Sequence, residues 1–175
     1  RIGSPWAEGR PGAAGSVGPM PRTAARDLTV DRDQLLEFIR PRHHGILVTT
    51  RRDGRPQLSP VTMGVDAGGR IVVSTYPERA KARNAARAQQ ASMCVLSDDF
   101  GGDWVQVDGR IEMVAQPAAV DALVEYYRSI SGEHPDWDEY REAMVRQGKV
   151  LLRLTIERWS PISRGGFPAR LVADG

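Results

Sequence analysis

Apolar positions along the chain change period several times, and each change marks an element. Asp31 to Arg40 (DRDQLLEFIR) sets Leu35, Leu36, Phe38 and Ile39 at helical spacing, and Pro41 ends the run. Gly45 to Thr50 (GILVTT) is β-branched and predicts a strand, closed by Arg51-Arg52-Asp53-Gly54 with its Asp-Gly turn signal. Arg55 to Val65 (RPQLSPVTMGV) returns as a second strand with Gln57, Ser59, Val61 and Met63 on one face. A turn at 66–69 leads into a third strand, Ile71 to Tyr76, and the three strands predict an antiparallel meander.

After Pro77 the pattern turns helical again. Glu78 to Gln89 (ERAKARNAARAQ) is Ala-rich and a strong helix former. Ala91 to Ser97 predicts a fourth strand, 98–103 a Gly-rich loop, and Trp104 to Val114 (WVQVDGRIEMV) a long fifth strand. Gly109, in the interior of that strand, predicts a bulge or bend that would curl the sheet. Pro117 to Ile130 carries Val120, Leu123, Val124 and Tyr127 at i, i+3, i+4 and i+7, a helix with Pro117 in its first turn. A further helix starts at Asp136, where Asp136 with Glu139 resembles a capping box and Trp137, Tyr140 and Met144 mark the buried side. Val150 to Ile156 is the sixth strand. The connections between strands are too short for parallel crossovers, so the expected fold is mainly β (α+β), an antiparallel barrel with short helices packed outside.

Composition narrows the function classes only a little. The 175 residues suffice for one domain with a real core, and 41% hydrophobic with 26% charged residues is ordinary globular composition. A net charge of +2 excludes a strongly basic surface, and nucleic acid is not an expected partner. The one modest basic cluster is Arg79, Lys81, Arg83 and Arg87. Cys94 is the sole cysteine, which rules out an intramolecular disulfide framework, and its apolar neighbours read as a buried, inert thiol. No apolar run reaches the roughly 18–20 residues of a membrane span. The first 28 residues, rich in Gly, Pro and Ala, read as a disordered extension or a remnant outside the fold, with Met20 a candidate natural start. The expected domain covers 29–165, followed by a flexible tail at 166–175, in a cytoplasmic protein.

Candidate chemistry is sparse. His43 and His44 are adjacent, His134 stands alone, and no ligand spacing for a metal is present. Asp98, Asp99 and Asp103 read as a solvated acidic loop. Glu78 to Asn84 differs: Arg79 and Lys81 sit at a helix start, immediately after a strand that contains Ser74 and Thr75. A helix N-terminus offers unsatisfied N–H donors and partial positive charge, and Arg and Lys add charge-assisted hydrogen bonds. From the residues alone two readings stand, a phosphate seat and a solvated basic helix face.

Three segments carry a resemblance: Gly45 to Val61 (GILVTTRRDGRPQLSPV), Arg79 to Asn84 (RAKARN), and Trp104 to Arg110 (WVQVDGR). Together they resemble the pyridoxamine 5′-phosphate oxidase-like split β-barrel superfamily, and Tyr126 to Arg141 (YYRSISGEHPDWDEYR) is similar to its actinobacterial deazaflavin-dependent branch. The likeness spans about residues 31–160. It implies a six-stranded antiparallel split β-barrel of the FMN-binding kind, a homodimer with a cofactor groove at each side of the interface, and coenzyme F420 as cofactor. It also implies the site. Arg79, Lys81 and Asn84, with Ala82 between them, would hold phosphate. Gln57, Ser59, Pro60 and Val61, with Ser74 and Thr75, would border the ring and ribityl chain, and Trp104 would face the same groove. A deazaflavin carries carbon where a flavin has its reactive ring nitrogen, so the implied activity is two-electron hydride transfer to an unsaturated small-molecule acceptor. The alternatives on the same fold are an FMN-dependent pyridoxamine-phosphate-oxidase-like enzyme and a non-catalytic F420-binding or storage protein. Trp159, Arg164 and Arg170 do not reproduce the Arg- and Trp-containing C-terminal segment of the FMN enzymes.

Overall fold

Residues 23–172 are described by the computed structural model; the leading extension through residue 22 and the end of the tail lie outside them. The chain runs β1 (Arg26–Leu28), α1 (Arg32–Ile39), β2 (His44–Thr50), β3 (Pro56–Thr62), β4 (Gly64–Val65), β5 (Ile71–Thr75), α2 (Ala80–Ala88), β6 (Gln90–Leu96), β7 (Trp104–Val114), α3 (Ala119–Ser131), α4 (Trp137–Arg146), β8 (Val150–Trp159) and β9 (Ile162–Arg164), with a short 3₁₀ turn at Ala169–Leu171.

The sheet is antiparallel, in the order β3-β2-β6-β7-β8-β5-β4, with β9 joined to β7 and β1 to β9. It curls into a half-barrel flanked by four helices, as the alternation of apolar and polar residues leads one to expect. Its two end strands, β3 and β4, are consecutive in sequence and meet at Met63, which is completely buried. The expected second strand therefore breaks there: Pro56–Thr62 pairs with β2, while Gly64–Val65 pairs with β5. That corner turns the expected three-strand meander into two hairpins on opposite ends of the sheet.

Among the described residues nine strands replace the expected six, because three short ones have too few residues to show a period. Arg26–Leu28, expected in the leading extension, pairs with Ile162–Arg164. Asp103 ties them down, at 2.5 Å from Arg26 and 2.9 Å from Arg164. Although burial pushes the Asp103 carboxyl up, those arginines hold it below its ordinary value. Phe167, in the expected tail, exchanges backbone hydrogen bonds with Thr23 and Ala25.

Gly109 behaves as its position in the strand implies. The register of β7 against β8 shifts between Asp108 and Gly109, and a Cβ on Gly109 would stand 1.9 Å from the Thr155 carbonyl oxygen. Only glycine permits that approach.

Two apolar clusters share the sheet between them. Leu47, Met93, Val95, Val105, Val107, Ile111 and Leu154 fill the inside, closed by Leu35 and Ile39 of α1 and by Ala82 and Ala85 of α2. On the other face of β5 and β8, Val72 and Leu151 receive Leu123, Val124, Tyr140 and Met144 from α3 and α4. The β5 run Ile71-Val72-Val73 is continuously apolar because both faces are covered. Gly64 lets α3 come close, since a Cβ there would lie 2.1 Å from Ser129 Oγ.

Candidate functional site

Helix α2 divides its residues among three surroundings by simple helical geometry. Ala82 and Ala85 face the core and are almost completely buried. Ala80, Arg83, Asn84 and Arg87, at i, i+3, i+4 and i+7, form one wall of a groove of about 800 Å³ whose other wall is Arg51, Arg52 and Gln57. Lys81 points instead into a second cavity of about 460 Å³. Strand β3 serves both: Gln57 lines the first, and Pro60, Val61 and Thr62 line the second.

The first groove is electropositive. Among the described residues, no carboxylate lies within 4.0 Å of Arg51, Arg52, Arg79, Lys81, Arg83 or Arg87. No side chain caps α2, whose N-cap residue is Arg79. The helix start therefore keeps its partial positive charge beside uncompensated cations, the requirement for holding an anion. Arg51 Nε donates to Gln57 Oε1 at 3.1 Å, and Arg87 donates to the Thr50 carbonyl and to Asn84 Oδ1.

The second cavity is walled by aromatic and apolar side chains from α3 and α4, including Tyr126, Tyr127, Ile130, Tyr140 and Met144. Tyr126 donates to the Thr62 carbonyl at 3.1 Å and Tyr140 to the Leu123 carbonyl at 3.1 Å. Burial raises both phenols, Tyr140 to about 12 with help from the neighbouring Tyr126 and Tyr127, so both stay protonated and serve as fixed walls. Tyr127, His134, Trp137 and Tyr140 pack into one aromatic cluster of edge-on and tilted contacts, at centroid distances of 5.1–5.8 Å. That packing fixes the loop between α3 and α4. Ser74 lines the same cavity, and its Oγ is buried without a hydrogen-bond partner. Burial, then the charge of Arg79, lowers the Lys81 ammonium.

The structure brings most of the sequence-derived site residues to these two cavities, in different capacities. Gln57 and Asn84 line the first; Pro60, Val61, Ser74 and Lys81 line the second. Ser59 lies between Gln57 and Val61 on the half-buried face of β3, opposite Leu47. Arg79 is exposed at the start of α2. Thr75 is 5% exposed and pairs with Val150, and Ala82 is 0% exposed, so neither side chain reaches a cavity. Trp104 lines neither cavity; it sits on the outward side of β7, paired with Leu96 and Ser163. Sequence reasoning missed Arg51, Arg52, Tyr126 and Lys149. The two arginines read as turn residues, Tyr126 as one more residue of an amphipathic helix, and Lys149 precedes a strand without any local pattern.

These features define a split-barrel protein with a basic groove beside an aromatic cavity. Residues 32–163 match the pyridoxamine 5′-phosphate oxidase family, and the chain belongs to it. A curated relative, a biliverdin reductase of Mycobacterium tuberculosis that depends on reduced coenzyme F420, is 25% identical over 126 residues, covering 72% of this chain and 84% of that protein. Solved structures share the fold. A conserved hypothetical protein of Mycobacterium tuberculosis superposes with a TM-score of 0.65 at 22% identity, over 80% of this chain and 89% of that one. An F420 reductase superposes at 0.54 with 22% identity, over 71% and 94%. The C-terminal Trp159 and Arg164 have structural partners here, the Val30 carbonyl at 3.0 Å and Asp103.

Proposed function

We propose that the protein is an F420-dependent oxidoreductase that transfers a hydride between reduced coenzyme F420 and an unsaturated small-molecule acceptor. The observation that carries this reading is a groove of arginines without carboxylate partners beside a tyrosine-walled cavity that shares α2 and β3 with it. The residues fit such a cofactor. Arg51, Arg52 and Arg83 of the groove, with Arg79 and Lys81 at the start of the same helix on its way to the second cavity, supply charge for a phosphate, and the orphaned Ser74 Oγ supplies a hydrogen-bonding group for the polar edge of a ring. Pro60 and Val61 of β3 offer an apolar wall for the ring, and the tyrosine wall from α3 and α4 is left to the acceptor. When bound, the reduced deazaflavin supplies a hydride to an electrophilic carbon, and a proton completes the reduction.

The protein's part is positioning. Tyr126 bonds β3 to α3, and Asn84 bonds α2 to β2, so the two cavity walls keep a fixed spacing. Water exclusion calls for a second wall over the open side, and the proposal extends to a homodimer. Leu58, Pro60, Ile46, Leu96 and Trp104 lie on the outward side of β3-β2-β6-β7, and Leu58 is 57% exposed. This apolar face suits a second copy of the chain, which would bring Trp104 toward the partner's groove.

The experiment is steady-state oxidation of reduced coenzyme F420, followed by the return of its visible absorbance, with biliverdin and a panel of conjugated enones as acceptors. Turnover with at least one acceptor is the expected result. Cofactor binding without turnover across the panel would favour a storage role.

A further inference from the structure

The tyrosine-walled cavity holds a second cation that the cofactor reading leaves without a task. Lys149 lines it from the corner between α4 and β8, apart from the basic run of α2. The backbone of this corner is held on both sides: the Lys149 N–H donates to the Met144 carbonyl at 3.1 Å, and its carbonyl accepts from Gln116 Nε2 at 2.9 Å. The neighbouring Gln147 accepts from the Tyr76 hydroxyl at 3.4 Å, and Lys149 Nζ stands 5.3 Å from the Tyr76 ring centroid. Among the described residues no carboxylate lies within 4.0 Å of it.

Lys149 is half-buried, and the single Tyr76 ring engages only part of its positive charge. The rest of the wall around it is flat and largely apolar, from Tyr127, Ile130, Tyr140 and Met144 of α3 and α4. A ligand that satisfies every part of this surface has a planar conjugated body and one anionic end. We propose that Lys149 is a specificity residue that selects acceptors bearing a carboxylate, by pairing its ammonium with that group while the conjugated body lies against the tyrosine wall. The inference rests on the reading that Lys81 and the arginine groove take the cofactor phosphate, which leaves Lys149 for the acceptor.

A matched pair of planar probes tests it: 9-anthracenecarboxylate and its primary amide, titrated calorimetrically into protein loaded with oxidised coenzyme F420. The wild type is expected to prefer the acid by roughly tenfold, the scale of one charge-assisted hydrogen bond in a half-buried site. Lys149→Ala brings the acid-to-amide ratio close to one, and Lys149→Arg keeps the preference. Equal affinity of the wild type for the two probes overturns the inference. So does a Lys149→Ala variant that weakens both probes alike, or one that loses cofactor affinity with the ratio intact. The same ratio on cofactor-free protein separates this inference from the reading beneath it. A protein that takes up no cofactor but keeps a Lys149-dependent acid preference upholds the carboxylate site and overturns the cofactor assignment alone.

Discussion

The side-chain amide of Asn84 donates to Thr49 Oγ1 at 3.1 Å, and both residues are buried, at 7% and 2% exposure. The bond joins α2 to β2 beneath the arginine groove, and Asn84 Oδ1 also accepts from Arg87. Asn84 is thus a brace for the groove wall, where the family resemblance makes it a phosphate contact. Asn84→Ala leaves a buried hydroxyl without its partner, a loss of about 1–3 kcal/mol. In a chain of this size that lowers Tm by roughly 3–10 °C. Thermal unfolding and cofactor affinity measured together decide the role. An unchanged Tm with weakened binding would make Asn84 a direct ligand.

Lys81 and Arg79 are expected to carry the charge of cofactor binding. Lys81→Ala removes a charge-assisted hydrogen bond of about 1.5–3 kcal/mol, or roughly 10- to 150-fold in Kd. Tm should hardly move. Arg87 cannot be the control even though it lies beyond the first turn of α2, because it lines the same groove. Arg146, whose exposed guanidinium pairs with Glu139 and Glu142, is the proper one. Equal effects of Lys81→Ala and Arg146→Ala would remove Lys81 from the site.

The pH dependence of binding follows from Lys81. In the free protein burial and Arg79 disfavour its ammonium, so its pKa lies below the ordinary lysine value. A bound anion favours the ammonium and raises that pKa, so the complex holds the proton more tightly than the free protein. Affinity therefore falls as pH rises through the free-protein pKa, beginning below the ordinary lysine range, by up to about tenfold per pH unit. Lys81→Arg, which stays charged, should flatten this alkaline limb. An affinity that stays level or rises across the same range would contradict the assignment.

Folding stability has an acid limb set by Asp103. Its folded pKa is depressed by Arg26 and Arg164 against the opposing effect of burial. The stabilisation is therefore complete above the ordinary carboxylate pKa and is lost as pH falls through the folded value. Asp103→Asn should lower Tm at neutral pH and reduce the slope of Tm against pH on the acid side. It also frees β1 and β9, which amide exchange would report as faster exchange at Arg26–Leu28 and Ile162–Arg164.

The proposed subunit interface is open to a single substitution. Leu58 is 57% exposed on the outward face of β3, so Leu58→Glu costs the monomer little and sets a charge in an apolar contact. Light scattering at micromolar concentration should show a wild-type dimer and a Leu58→Glu monomer with weaker cofactor binding. A wild-type monomer with full cofactor affinity would refute the shared groove.

Local pattern and long-range pairing contributed differently to what was legible in the chain. Helices α1 to α4 and the long strands are marked by period, caps and breakers, and Gly109 announced the bend that curls β7. The break at Met63 was hidden because no turn pair interrupts Arg55 to Val65; pairing to two different strands is a tertiary fact. Arg26–Leu28 is a strand only through β9, 136 residues away in the Asp27–Ser163 contact. The site divides the same way. Lys81 and Asn84 sit on a helix whose charge and position are visible locally, but which of them faces a cavity and which braces a wall depends on the 100° between successive residues and on Thr49 from another strand. Arg51 and Arg52 join the site only because the β2–β3 hairpin folds beside α2.

The cofactor assignment is tested most directly by parallel titration of the purified protein with coenzyme F420 and with FMN, following quenching of tryptophan fluorescence. The account predicts saturable binding of both at most, with F420 clearly the tighter ligand and its advantage over FMN retained in an Arg146→Ala control. Clear preference for FMN, or failure to bind either, would contradict it.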